Sequence, residues 1–299
     1  MNIIFLTRFD PCNINNWSGT LYYIYNKLKE KHHIEIMGTE VLNQLNFFSI
    51  NNFPQNMDVS IDRYVEILDN LLSERINSLN FDLIFFGDLL FIPFLNAHPP
   101  IVYLSDITYE QLISHYIEAS EKRDEYLIHL EKILLHKSDR IIYSSEWIKR
   151  KAVEVYNIDP EKIEIIEFGA NISTPTNYSI NINMNICRLV FIGKDWKRKG
   201  GDKVLRTYKK LKEGGFLCTL TIIGCTPKEV PECDEDLTII PFLDKSKQEQ
   251  LNKFCKILSE SHFLFLPTQF DAYGIVFCEA SAYALPSIAA DVGGVGQPI

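Results

Sequence analysis

The stretch FIGKDWKRKGG, residues 191–201, places Lys194, Lys197, Arg198 and Lys199 within six positions. From Arg188 to Gly215 ten Lys or Arg face three acids, a local +7 in a chain of net charge −9, so the remainder carries −16. An apolar run precedes the stretch, and Val204, Leu205, Tyr208 and Leu211 follow at i, i+1, i+4 and i+7, the stripe of an amphipathic helix. Lys194, Arg198 and Lys199 therefore fall where a strand turns into a helix. Free backbone N–H groups and the positive end of the helix dipole converge there, and an arginine grips phosphate through two parallel hydrogen bonds. A diphosphate fits that cluster. Lys203, Lys209, Lys210 and Lys212 read instead as the solvated outer face of the same helix. Neither a GxGxxG after the first strand nor a GxxxxGK[ST] phosphate loop occurs.

A second constellation lies in PTQFDAYGIVFCEASAYALPSIAADVGG, residues 267–294, where Asp271 and Glu279 bracket Gly274. A helix starting after Gly274 leaves the N–H groups of Ile275 and Val276 open to a phosphate, and the glycine lets a ligand approach the backbone. Glu279 leans back toward that helix start. Its carboxylate can accept two hydrogen bonds from a vicinal diol such as a ribose, while Asp271 faces the far end of the same ligand. The competing reading makes Asp271 a helix cap and Glu279 a surface acid. The apolar flanks Phe277, Cys278, Ala280 and Ala282 argue against a surface acid.

These residues need a scaffold. At about 150 residues per domain, 299 residues predict two domains, and 46% hydrophobic residues suffice for packed cores, excluding disorder and collagen. The acidic net charge argues against nonspecific nucleic-acid binding. Seven cysteines, without a CxxC pair or regular spacing, fit a reduced cytoplasmic chain better than a disulfide framework or a zinc site. MNIIFLTRFD reads as a first strand, not a signal peptide, and the apolar stretch Leu83–Leu95 is too short and too broken to span a bilayer.

Short apolar runs alternate with helical patterns, which predicts α/β architecture with parallel sheets. Strands are expected at 3–7, 34–37, 83–86, 101–104, 140–143 and 163–166, with helices near 20–31, 60–79, 121–137 and 146–156. The uncharged NISTPTNYSININMN, residues 171–185, reads as a linker between domains at 1–172 and 186–299. Beyond it, strands are expected near 188–193, 217–223, 237–242, 262–266 and 286–290, with helices near 201–213, 246–259 and 275–284. Two such Rossmann-like domains would bind ligand in a cleft at the carboxyl ends of their strands.

FIGKDWKRKGG, the Asp271-x7-Glu279 pair, ALPSIAADVGG from Ala284, and SSEWIKRKAVEVYNIDPEKIEIIEFGAN from Ser144 together resemble family 4 retaining glycosyltransferases of the GT-B fold. The resemblance implies transfer of a sugar from a nucleotide diphosphate sugar to a glycan, lipid-linked or polysaccharide acceptor, with retention at the anomeric carbon. It implies neither an obligatory metal nor a separate cofactor. Arg198 and Lys199 would neutralise the diphosphate leaving group, with Lys194 where many members have Arg. Asp271 would meet the donor sugar and Glu279 the ribose, with Tyr273, Gly274 and Ile275 near the sugar and phosphates and the base near Phe242 and Leu243. A lipid-linked acceptor would bring an otherwise cytoplasmic protein to the inner membrane face.

The sequence departs from that pattern in places. Asp271 replaces the usual Glu, Gly19 is preceded by Ser18 where many members have a glycine pair, and Ser105 and Asp106 stand where many have His. Asp106 is read as a donor-sugar or acceptor contact, against a role as helix cap. The resemblance also implies further sheet and helices beyond Ile299, so the second domain reads as incomplete, with weak nucleotide binding and slow turnover expected. Two rivals are a nucleotide-sugar 2-epimerase on the same fold and a noncatalytic binding or scaffolding fragment.

Overall fold

The computed structural model describes residues 1–7, 9–38, 72–87, 93, 95–116, 121–174, 185–228 and 234–299. They form two compact units: Met1–Asn16 with Leu21–Ile166, and Trp17–Thr20 with Glu167–Ile299.

In the first unit, β1 (Asn2–Thr7), β2 (His33–Gly38), β3 (Leu83–Phe86), β4 (Ile101–Ser105), β5 (Arg140–Tyr143) and β6 (Ile163–Ile165) form one parallel sheet in the order β2-β1-β3-β4-β5-β6. NIIFLT and LIFF are almost unbroken apolar runs because a parallel sheet is covered on both faces. Helices α1 (Thr20–Lys29), α2 (Glu74–Ser78), α3 (Tyr109–Tyr116), α4 (Glu121–Lys137) and α5 (Glu146–Tyr156) accompany it. Leu134 and Leu135 of α4, and Ile148 and Ala152 of α5, join Ile4, Phe86 and Ile141 in the core. Helices α4 and α5 match the expected ranges. Of the pattern expected at 60–79, positions 60–71 lie outside the described residues, as do 88–92 and 94 of the apolar stretch 83–95.

Helix α3 was not expected from periodicity. A reciprocal cap starts it: the Gln111 N–H donates to the Thr108 hydroxyl (3.3 Å), and the Thr108 N–H donates back to Gln111 Oε1 (3.1 Å). Thr108, not Asp106, therefore fills the cap position.

The second unit contains β7 (Cys187–Ile192), α6 (Gly201–Glu213), β8 (Cys218–Ile223), β9 (Leu237–Ile240), α7 (Gln248–Glu260), β10 (Phe263–Leu266), α8 (Ile275–Ser281) and β11 (Ser287–Ala289). Its sheet is parallel, in the order β11-β10-β7-β8-β9. The chain runs outward from β7 through β8 to β9, then returns to the other side of β7 as β10. Loops leaving β7 and β10 thus diverge at a topological switch point, where open parallel sheets hold ligands.

Strand β9 and helix α8 end two and three residues earlier than expected. Strand β9 stops at Ile240 because Pro241 offers no N–H to a ladder, leaving Phe242 and Leu243 in the following loop. Helix α8 stops at Ser281: Ala284 takes a positive φ of 49°, and Pro286 blocks continuation. At the front of the segment read as a linker, Asn171 and Ile172 are buried within the second unit. Residues 175–184 of that segment lie outside the described residues. No described helix is long and apolar enough to cross a membrane.

Candidate active site in the second unit

The site is built from loops that follow the carboxyl ends of β7, β9, β10 and β11. After β7 the chain makes a tight turn ending in Gly200 (φ 78°) and Gly201. A side chain on Gly200 would collide with the Pro267 carbonyl, and one on Gly201 with the Trp196 ring. The glycine pair therefore lets this loop lie directly on the loop after β10. Trp196 is fixed by its indole N–H donating to Asp202 (2.8 Å) and by edge contact with Phe191.

Hydrogen bonds join the two loops. The Gln269 N–H (2.7 Å) and the Thr268 hydroxyl (3.1 Å) donate to the Arg198 carbonyl. In return the Arg198 guanidinium donates to the Phe270 carbonyl (2.9 Å), and its Nε lies 3.5 Å from Asp195. This seam brings Lys199 Nζ onto the Asp271 carboxylate, with both side chains almost buried. Burial pushes the Lys199 ammonium below its usual range, with Asp271 opposing that shift. Asp271 is held from behind as well, because the Gly294 N–H donates to its carbonyl (3.0 Å) and Gly293, at φ 60°, packs against the same carbonyl. The GG of ALPSIAADVGG thus seats the acid.

Helix α8 begins at Gly274, which has φ 90° and no side-chain cap bond. A Cβ there would approach the Phe277 ring to 2.6 Å. Asp271 is consequently not the cap of α8. Ile275 opens the helix, and the first bond back to the glycine comes from Phe277, whose N–H donates to the Gly274 carbonyl (2.9 Å). Glu279 is only 2% exposed, which removes the surface-acid reading. Its Oε1 accepts from Lys245 Nζ, in the loop after β9. Desolvation pushes the Glu279 carboxyl upward, and Lys245 pulls it back.

From the same loop, the half-exposed Phe242 ring lies 5.7 Å below Lys194 Nζ, so two residues expected at the nucleotide meet. Leu243 packs against the core of the unit. Tyr273 is buried, with its hydroxyl donating to the Phe168 carbonyl (3.0 Å), so its side chain braces the loop. Gly19 closes a run of three positive φ values, 42° at Trp17, 54° at Ser18 and 91° at Gly19. Asn171 holds that run by donating to the Ser18 carbonyl (2.9 Å) and the Thr20 hydroxyl (3.1 Å). Asp106 belongs to the first unit, just past β4. Lys245 escaped sequence reasoning; the available signal was its place just after the carboxyl end of β9. Among the described residues no three His, Cys, Asp or Glu side chains form a metal-binding group.

Comparisons with known proteins accord with this geometry. Residues 187–299 match the family model "Glycosyl transferases group 1", and residues 50–174 match "Glycosyltransferase Family 4". A D-inositol 3-phosphate glycosyltransferase of Mycobacterium sp. (strain KMS) is 24% identical over 178 residues, covering 55% of this chain and 40% of the relative. An uncharacterized 41.2 kDa protein in the cps region of Klebsiella pneumoniae is 23% identical over 193 residues, 62% of this chain and 52% of that protein. The matched part therefore spans about half the length of these curated relatives. The apo structure of the lipopolysaccharide outer core galactosyltransferase WaaB superposes with a TM-score of 0.65 at 14% identity, covering 98% of this chain and 81% of the other. A UDP-forming α,α-trehalose-phosphate synthase from Burkholderia vietnamiensis gives 0.60 at 11% identity, covering 99% and 83%.

Two parallel α/β units with this structural likeness define a GT-B glycosyltransferase fold. Glycosyltransferase models match this chain in two stretches, family 4 over residues 50–174 and group 1 over residues 187–299.

Proposed function

We propose that the chain transfers a sugar, with retention of anomeric configuration, from a nucleotide diphosphate sugar to an acceptor hydroxyl. The observation that carries this reading is the Lys199–Asp271 pair at the switch point between β7 and β10, beside the start of α8 and the buried Glu279. Lys199 and the α8 N-terminus offset charge that develops on the diphosphate as the glycosidic bond breaks. Arg198 contributes by charge and by bracing the Phe270 carbonyl next to Asp271. Glu279 accepts the ribose diol, Lys194 and Phe242 flank the base, and Asp271 exchanges its Lys199 contact for a hydroxyl of the donor sugar. The acceptor attacks from the face the sugar is leaving, and the departing phosphate takes its proton. The donor is a substrate, and no resident cofactor enters the scheme. Asp106 is assigned to a donor-sugar or acceptor contact.

Relatives named for D-inositol 3-phosphate and for lipopolysaccharide support a polyol, glycan or lipid-linked glycan as acceptor. Polysaccharide biosynthesis in the cytoplasm, with contact at the inner membrane surface for a lipid-linked acceptor, is the setting that fits. The test is incubation with UDP-, GDP- and ADP-hexoses, following nucleotide release and the anomeric configuration of the product by NMR. Release from one donor with retained configuration, lost in Lys199→Ala, is the expected result. Inversion, or the same rate in Lys199→Ala, would overturn the proposal.

A further inference from the structure

The donor-site reading leaves Lys245 without a role, although the carboxylate assigned to the ribose depends on it. Glu279 lies in an apolar helix between Phe277 and Ala280, both fully buried. An ionised carboxylate there needs a counter-charge. Among the described residues Lys245 supplies it, from a different loop 34 positions earlier in the chain. The thiol of Cys278 lies beside Glu279 on the same helix, and the α7 side contributes the uncharged Phe254 ring, 4.9 Å from Lys245 Nζ. The ammonium is therefore held between a carboxylate and an aromatic face, an arrangement that fixes a flexible lysine. It engages Oε1, which leaves Oε2 to accept from a ligand.

Resting on the donor-site reading above, we propose that Lys245 is a positioning residue: it stays on Oε1 of Glu279 as counter-ion and aims Oε2 at the vicinal diol of the donor nucleotide. The lysine touches neither the reacting carbon nor the phosphates. Its effect passes entirely through Glu279, whose Oε2 accepts from the diol while ionised and becomes an O–H donor when protonated.

The sign of the pH effect follows. Removing Lys245 leaves burial unopposed, so the Glu279 carboxyl moves further up and the acid is protonated at higher pH. Nucleotide affinity then falls as pH is lowered, about tenfold for each pH unit below the carboxyl midpoint. In Lys245→Met that fall begins at higher pH than in the wild type.

The experiment is calorimetric titration of UDP, GDP and ADP from pH 5.5 to 9 into wild type, Lys245→Met, Lys245→Arg and Glu279→Gln, with urea unfolding of each to confirm packing of the second unit. Expected are a profile displaced to higher pH in Lys245→Met, restoration in Lys245→Arg, and weak binding without that pH dependence in Glu279→Gln. If Glu279→Gln loses affinity while Lys245→Met keeps the wild-type profile, the role of Lys245 is overturned and the donor site stands. If Glu279→Gln binds like a nucleotide-competent wild type, the donor-site reading fails and the inference fails with it.

Discussion

Gly293→Ala tests how the site is seated without touching any charged group. The glycine has φ 60°, and a Cβ there would lie 2.2 Å from the Asp271 carbonyl oxygen, which already accepts the Gly294 N–H at 3.0 Å. Left-handed backbone costs alanine about 1 kcal/mol, overpacking about 1–3 kcal/mol, and a weakened hydrogen bond about 1 kcal/mol. The substitution should therefore destabilise the second unit by about 3–5 kcal/mol. Relief of the clash also displaces Asp271 and its partner Lys199, and a shift of about 1 Å at a catalytic group costs on the order of 100-fold in rate. Gly215→Ala is the control, since Gly215 has φ 80° but nothing within 4 Å of its Cβ position. It should lose only the backbone term, about 1 kcal/mol, with unchanged turnover. Urea unfolding followed by tryptophan fluorescence, with Trp196 reporting from the second unit, and donor turnover of the folded protein give both numbers. Equal midpoints and equal rates for the two variants would refute the idea that the GG loop seats Asp271.

Lys199→Ala and Arg198→Ala should each reduce turnover by well over tenfold; Arg198→Lys should recover little, because the fork that reaches both the Phe270 carbonyl and Asp195 is lost. In the first unit, burial raises the Glu131 carboxyl to about 8, although the Tyr109 N–H donates to it at 2.7 Å. Between roughly pH 4.5 and 8 the folded state holds a proton that the unfolded state has released, so this group's contribution to stability falls as pH rises. Glu131→Gln should remove that slope and stabilise the first unit at pH 8, as read from urea midpoints across the pH range. Thr108→Ala should cost about 1 kcal/mol through loss of the α3 cap, measurable as a lower midpoint of the same unit.

Helices α5 and α6 were legible to the residue because each carries a strong apolar periodicity, as with Val204, Leu205 and Tyr208 of α6, all buried; α4 was legible from its 17-residue length and the buried Leu127, Leu130 and Leu134. Helix α3 was not, because its start is set by the Thr108–Gln111 exchange rather than by a glycine or proline boundary. At the site, residue types and loop positions marked Lys199, Asp271, Gly274 and Glu279, because a basic strand-to-helix turn and an acid in an apolar helix are unusual choices. Pairing was not legible: Lys199 meets Asp271 across 72 positions and Lys245 meets Glu279 across 34. Such contacts follow from strand order, which returns β10 to the flank of β7. Gly19 was visible as a glycine, but the positive φ values of Trp17 and Ser18 depend on Asn171, more than 150 positions later.

The central claim is that the second unit holds a nucleotide diphosphate between Lys199, the start of α8 and Glu279. Calorimetric titration of UDP, GDP and ADP into this chain, beside Lys199→Ala and Glu279→Gln, addresses it most directly. The account predicts saturable binding of one nucleotide, weakened at least tenfold in both variants while their folding remains intact. Binding of equal strength in all three proteins, or none of the three nucleotides binding to a folded wild type, would contradict it.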